Sequence, residues 1–264
     1  PVGTGTLFFT PVLNATTTYY VSASSTCESP RVAVLAIINP GPTFSVSPAS
    51  TVCNASIVPL TVTSTQTNFD SYTWTPTTGL FTDAAATIPY TGGSATTVYM
   101  KQTAAGTYTY VANANNSTTS CTGIDSVKVT VLPASVSLTA SPSQICVSGS
   151  TTITSLTSGF GAATFQWYSS PNGITYTPIT GATAAFYTTP TLTATTYYRL
   201  DIKNSSGTIC LQPTITINVN TPQVLTTTPA SNCGPGVLTL QATGSSGTTL
   251  NWYNSATGGN VLGT

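Results

Sequence analysis

Thr196-Tyr197-Tyr198-Arg199-Leu200, then Cys210, then Ile215-Thr216-Ile217-Asn218-Val219 is the most telling succession in this chain. Its last part alternates apolar and polar residues, the period of a strand with one face in a core. The succession recurs twice. Thr18-Tyr19-Tyr20-Val21 precedes Cys27 and Val32-Ala33-Val34-Leu35, and Thr107-Tyr108-Thr109-Tyr110-Val111 precedes Cys121 and Val127-Lys128-Val129-Thr130-Val131. Upstream, Trp74, Trp167 and Trp252 stand 93 and 85 residues apart. Each follows a cysteine, Cys53, Cys146 or Cys233, by 21, 21 and 19 residues. Ser47-Pro48, Ser141-Pro142 and Thr228-Pro229 precede those cysteines. Several markers in fixed order at one spacing are the signature of a tandem repeat.

The period is about 90 residues, the size of one small β domain. Residues 42–132 form one complete copy and 134–219 another. Residues 1–39 carry the markers of a second half, and 221–264 those of a first half. The linkers Asn39-Pro40-Gly41-Pro42, Leu132-Pro133 and Asn220-Thr221-Pro222 are short and hold proline, which predicts a stiff string of modules.

Within a copy the apolar period is two, as at Phe44 and Val46, Leu60 and Val62, and Tyr72 and Trp74. Thr between them favours the strand and keeps the outer face wet. Turn signals such as Pro171-Asn172-Gly173 and Gly92-Gly93 recur every 8–12 residues. The fold class expected is all-β: tandem antiparallel β-sandwich modules, with Trp74, Trp167 and Trp252 as core residues. Equivalent positions in the two complete modules predict the disulfides Cys53–Cys121 and Cys146–Cys210. They close 68 and 64 residues, worth roughly 4 kcal/mol each by loop entropy.

Composition narrows the function. Of 264 residues, 58 are Thr and 30 Ser, five are Lys or Arg, five are Asp or Glu, and none is His. Five scattered cations make no nucleic-acid stripe. Acid–base catalysis and a zinc site both lack their usual histidine, and no cofactor is implied. No apolar run reaches the roughly 18 residues of a membrane-spanning helix. Six cysteines amid few other reactive groups point to an oxidising compartment, extracellular or cell-surface. The opening residues show no charged, apolar leader, so the expectation is a processed chain or an internal window of a longer one.

Cys, Trp-Tyr, Thr-Pro, Thr-Thr-Tyr-Tyr, Cys and an alternating last strand resemble the immunoglobulin-like repeats of large secreted surface proteins of Bacteroidota, among them adhesins and type IX secretion cargo. Trp167-Tyr168, Thr189-Pro190, Thr195-Thr196-Tyr197-Tyr198 and Cys210 carry the match. Trp74-Thr75-Pro76 departs from Trp-Tyr and is closer to a PKD-type variant. The resemblance implies immunoglobulin-like modules, a non-catalytic role and a structural shaft in an extracellular fibre or giant adhesin. The rivals are a glycan-binding module and a spacer attached to a secreted enzyme.

Candidate sites are few. Tyr168 and Tyr253 follow core tryptophans, so they face outward and could stack on a sugar or a neighbouring chain. Asn14, Asn54, Asn115, Asn116 and Asn204 fit the N-x-[ST] pattern, and Asp125-Ser126-Val127 resembles a Bacteroidota O-glycosylation signal at Ser126. Asp125 with Lys128, and Asp201 with Lys203, are expected as surface ion pairs. No Asp-x-Asp spacing supports calcium.

The two ends complement each other. Running from Thr264 on into Pro1 gives one module of about 83 residues, and the first-cysteine spacings become 93, 87 and 84. The expectation is one three-module period of a fibre, with neighbouring copies of itself as partners. Cys233 of one copy would bridge to Cys27 of the next.

Overall fold

The computed structural model describes residues 2–38, 43–64, 68–155 and 159–264. The Asn39–Pro42 linker lies outside the described residues. Every regular element described is a strand or an isolated bridge. The first segment holds β1 (Thr17–Val21) and β2 (Val32–Ala36). The next holds β3 (Ser50–Val52), β4 (Ile57–Thr61), β5 (Ser71–Thr75), β6 (Leu80–Phe81), β7 (Thr97–Lys101), β8 (Gly106–Asn115) and β9 (Thr122–Val131). The third holds β10 (Leu138–Ser141), β11 (Gln144–Cys146), β12 (Thr152–Ser155), β13 (Thr164–Ser170), β14 (Thr177–Pro178), β15 (Phe186–Thr188), β16 (Thr196–Lys203), β17 (Ile209–Leu211) and β18 (Thr214–Asn220). The last holds β19 (Val224–Thr228), β20 (Gln241–Gly244), β21 (Trp252–Tyr253) and β22 (Val261–Gly263). Among the described residues no helix is long and apolar enough to cross a membrane.

The fold is tandem immunoglobulin-like β-sandwich, antiparallel except where β3 runs parallel to β9 and β11 parallel to β18. The chain forms two compact units, and they cut across the repeat. One comprises 1–49, 57–101 and 109–128. The other comprises 50–56, 102–108 and 129–264.

In the first unit β4, β7 and β6 form one sheet, and β5 pairs with β8. Alternation places Tyr72 and Trp74 inward, and Trp74 is fully buried. Its indole N–H donates to the Ala95 carbonyl at 2.9 Å, which removes the cost of burying the polar edge. Phe44, Phe69 and Tyr72 meet edge to face, with centroids 5.6–6.1 Å apart. Gly123 makes room for them, since a Cβ there would fall 2.8 Å from Phe69.

The second unit contains the whole of 134–219. There β10–β12–β15 is one sheet and β11–β18–β16–β13–β14 another, with β17 on β16. Trp167, Leu200, Ile202 and Ile217 are fully buried between them, and Trp167 donates to the Ala184 carbonyl at 2.9 Å. Leu132 is buried in the same cluster, so the Leu132-Pro133 linker is anchored in the core it leads into. Burial pushes the Tyr187 phenol up, and burial with the neighbouring Tyr187 pushes Tyr198 up to about 12.

Trp252 departs from expectation. It is only half-buried, and Tyr253 beside it is exposed. The strands around it, β19–β20 and β21–β22, are separate two-stranded pairs.

Candidate functional site

The cysteine sites follow from strand direction. β11 runs parallel to β18 with Cys146 opposite Asn220, so the first cysteine of the module lies level with the end of the last strand. Cys210 lies in β17, ten residues before Asn220 and ahead of that strand. The other complete module repeats the arrangement. Val52 lies opposite Val131 at the end of β9, with Cys53 next, while Cys121 directly precedes β9. At about 3.3 Å per residue, ten residues separate the two levels by about 30 Å. A disulfide tolerates at most about 7 Å between Cα atoms.

The expected pairs Cys53–Cys121 and Cys146–Cys210 are therefore not formed. Cys53 is bonded to Cys210 instead, 157 residues later, with the Cα atoms 5.2 Å apart. The first cysteine of one repeat is stapled to the second cysteine of the following repeat. Cys27, Cys121, Cys146 and Cys233 are free thiols, Cys121 half-buried and the others exposed.

Hydrogen bonds bracket the staple on both sides. Thr51, two residues before Cys53 and 2% exposed, donates its N–H to Ser205 Oγ at 3.1 Å. Ser205 returns both its N–H and its hydroxyl to the Thr51 carbonyl, each at 3.1 Å. The Thr51 hydroxyl accepts from the Ala162 N–H at 2.9 Å. Gly161 permits that approach: its φ is +53°, and a Cβ would lie 2.7 Å from Thr51 Oγ1 and 2.8 Å from Thr130 Oγ1. Asn204 shapes the loop before Cys210, its Oδ1 accepting from Ser206 and from the Thr208 N–H at 2.8 Å. Asn54 Nδ2 ties the residue after Cys53 to the Thr103 carbonyl at 2.6 Å. The contact is covalent at Cys53–Cys210 and flanked by the hydrogen bonds of Thr51 with Ser205 and Ala162.

Other expected sites fall variously. Asn54 and Asn116 spend their amide N–H groups on backbone carbonyls, and Asn204 spends its amide oxygen in its loop. Asn14, Asn115 and Ser126 are exposed. Asp125 accepts from the Val46 N–H at 3.0 Å, and Lys128 is not its partner. Asp201 is buried and pairs with Arg199 at 2.8 Å, not with Lys203, and Gln212 donates to it at 2.9 Å. Period two accounts for this, since residues two apart share a face. Tyr168 lies across the strand pair from Arg199, whose guanidinium stacks over its ring at 4.5 Å and over Tyr176 at 5.0 Å. The outward face of Tyr168 is thus occupied by its own chain.

Three carboxylates, Glu28, Asp70 and Asp83, are held below the usual carboxylate range. The leading causes are the Ser22 hydroxyl, the Ser117 hydroxyl and the Ile88 N–H. Each braces a turn.

Residues 136–221 match a family described as a domain of unknown function (DUF8696). Residues 1–40 match one described as Ig-like domain, CHU_C associated. A search of curated proteins finds no match to this chain. Among solved structures, murine CEACAM1b is 15% identical over 67% of this chain and 100% of its own, with a TM-score of 0.33. Titin domains A168–A170 are 15% identical over 78% of this chain and 75% of theirs, with a TM-score of 0.32. The fibronectin(III)-like modules of Clostridium thermocellum CbhA are 10% identical over 67% and 94%, with a TM-score of 0.29. The family match at residues 1–40 and the all-β modules together describe an immunoglobulin-like repeat protein, a class that is typically non-catalytic.

Proposed function

We propose that this chain is part of the load-bearing shaft of an extracellular fibre or large surface adhesin. The observation that carries the reading is the Cys53–Cys210 bond between successive repeats. Residues 54–209 lie inside the covalent loop it closes, so tension applied through the chain ends passes across the sulfurs and bypasses them. The bond also supports an oxidising, extracytoplasmic location. The near absence of charge leaves the surface hydrated by Thr and Ser hydroxyls, so salt and pH have little to act on. Engagement of Tyr168 by Arg199 weighs against the glycan-binding alternative.

Stretching single full-length chains from their ends tests this. Oxidised chains should extend less than reduced ones by the contour of the 157-residue loop, about 55 nm at 3.5 Å per residue. Equal extension in both states would remove the shaft reading.

A further inference from the structure

Pro171-Asn172-Gly173 forms the turn that follows β13, and Asn172-Gly173 is the single Asn-Gly step in the chain. An asparagine cyclises most readily before glycine, because no side chain hinders the attacking nitrogen. Gly173 N attacks the Asn172 side-chain carbonyl carbon. The new C–N bond closes a five-membered imide, and the amide nitrogen leaves as ammonia with the proton from Gly173. Water then opens the ring to aspartate or isoaspartate. The sum is asparagine plus water to aspartate plus ammonia, with no electrons transferred. The fold requires both residues of this step. Gly173 has a φ of +71°, and a Cβ on it would lie 3.1 Å from Tyr197 Cδ1. Asn172 Oδ1 holds the turn by accepting the N–H groups of Ile174 at 2.9 Å and Thr175 at 3.1 Å.

Ser170 holds the atoms that would have to meet. It is the last residue of β13, lies opposite Tyr197 and is 1% exposed. Its Oγ accepts the N–H of Gly173 at 2.9 Å and that of Asn172 at 3.3 Å, and its hydroxyl donates to Asn172 Oδ1 at 2.9 Å. Two successive N–H groups converging on one oxygen fix the rotation about the Asn172 Cα–C bond. Three donors on Oδ1 fix the side chain. Ring closure turns both of these bonds and takes the proton from Gly173 N, so it has to break the contacts with Ser170. Asn172 itself is exposed, so water reaches an imide formed there.

We propose that Asn172-Gly173 is a self-modification site, held shut by Ser170 while residues 134–219 are folded and released to deamidate when they unfold. Isoaspartate routes the backbone through the former side chain and lengthens it by a methylene. The longer turn no longer brings both N–H groups to Ser170 or fits Gly173 against Tyr197, so a module that has reacted does not close again as before. The reaction is a one-way mark of module opening. The assignment does not depend on the shaft reading, but it gives the staple a second consequence. Position 172 lies within the loop that Cys53–Cys210 closes, so tension on an oxidised chain does not reach it.

The test incubates the full chain in mildly alkaline buffer, folded and in denaturant, and follows Asn172 by peptide mass mapping and released ammonia. In denaturant Asn172 should react before the other asparagines, and in the folded chain it should react at least about tenfold more slowly, since only the opened fraction is competent. Folded Ser170→Ala should react about tenfold faster than folded wild type, having lost the buried hydroxyl that holds the turn. Ile217→Val, which loosens the same core but keeps Ser170, should react less than Ser170→Ala. Equal rates in folded and denatured wild type overturn the proposal. So does a Ser170→Ala rate that is unchanged, that matches Ile217→Val, or that falls, the last meaning that Ser170 relays the proton. If Ser170→Ala does not fold, amide exchange of Gly173 in wild type decides: strong protection supports the lock, and exchange as fast as in a free peptide overturns it.

Discussion

Residues 134–219 and the two chain ends are written with the same markers and end in different states. Trp167 is fully buried where Trp252 is half-exposed, and Tyr198 is 2% exposed where Tyr20 is 66%. The local chemistry is equivalent, and each end builds its own hairpin. What differs is the sheet each belongs to: Trp167 and Tyr198 lie in a six-stranded sheet facing a buried cluster, Trp252 and Tyr20 in two-stranded pairs. In an immunoglobulin-like sandwich the core lies between two sheets, so an aromatic is buried only where both pack over it.

The comparison can be broken at several strengths. Cys53→Ser should have the largest effect, because it opens a 157-residue loop worth about 5 kcal/mol of chain entropy. The measurement is the denaturant midpoint of oxidised wild type against variant, and an unchanged midpoint would show that the staple adds no stability. Trp167→Ala should cost about 3–5 kcal/mol, while Trp252→Ala in the single chain should cost about 1 kcal/mol or less. Equal melting shifts for the two variants would contradict the contrast between closed module and open end. Gly161→Val should cost about 2 kcal/mol, since it forces a branched side chain into a left-handed backbone against Thr51. Full stability in that variant would show that Thr51 and Ala162 can separate without penalty.

The smallest effect is one of pH. Tyr198 keeps its proton up to about 12 in the folded chain, against 10.0 when unfolded. Its contribution is therefore fully present below pH 10 and is lost as pH rises from 10 to about 12. Thermal melts across that range should fall more steeply for wild type than for Tyr198→Phe. Parallel curves would mean that Tyr198 is solvated as Tyr20 is.

Much of the fold was legible because its signals are local. Alternation around Trp74 and Trp167, β-branched Thr and turn residues specify strands without reference to the rest of the chain. The cysteine partners were not legible from spacing. Equivalent positions imply equivalent environments, not proximity, and the parallel courses of β3 beside β9 and of β11 beside β18 put the two cysteines of a module at opposite ends. Those parallel pairs are long-range, and no residue near Cys53 announces them. Thr51, Ser205 and Gly161 were missed for the same reason, being ordinary residues in a Thr-, Ser- and Gly-rich chain. The Arg199–Asp201 pair had a readable signal, since two residues apart on one strand means one face.

Non-reducing peptide mapping of the oxidised chain tests the central claim most directly. Digestion of the monomer should release a disulfide-linked pair containing Cys53 and Cys210, with Cys27, Cys121, Cys146 and Cys233 alkylatable without reduction. Recovery of Cys53 with Cys121, or of Cys146 with Cys210, would place the bonds inside the modules and contradict a shaft stapled from one repeat to the next.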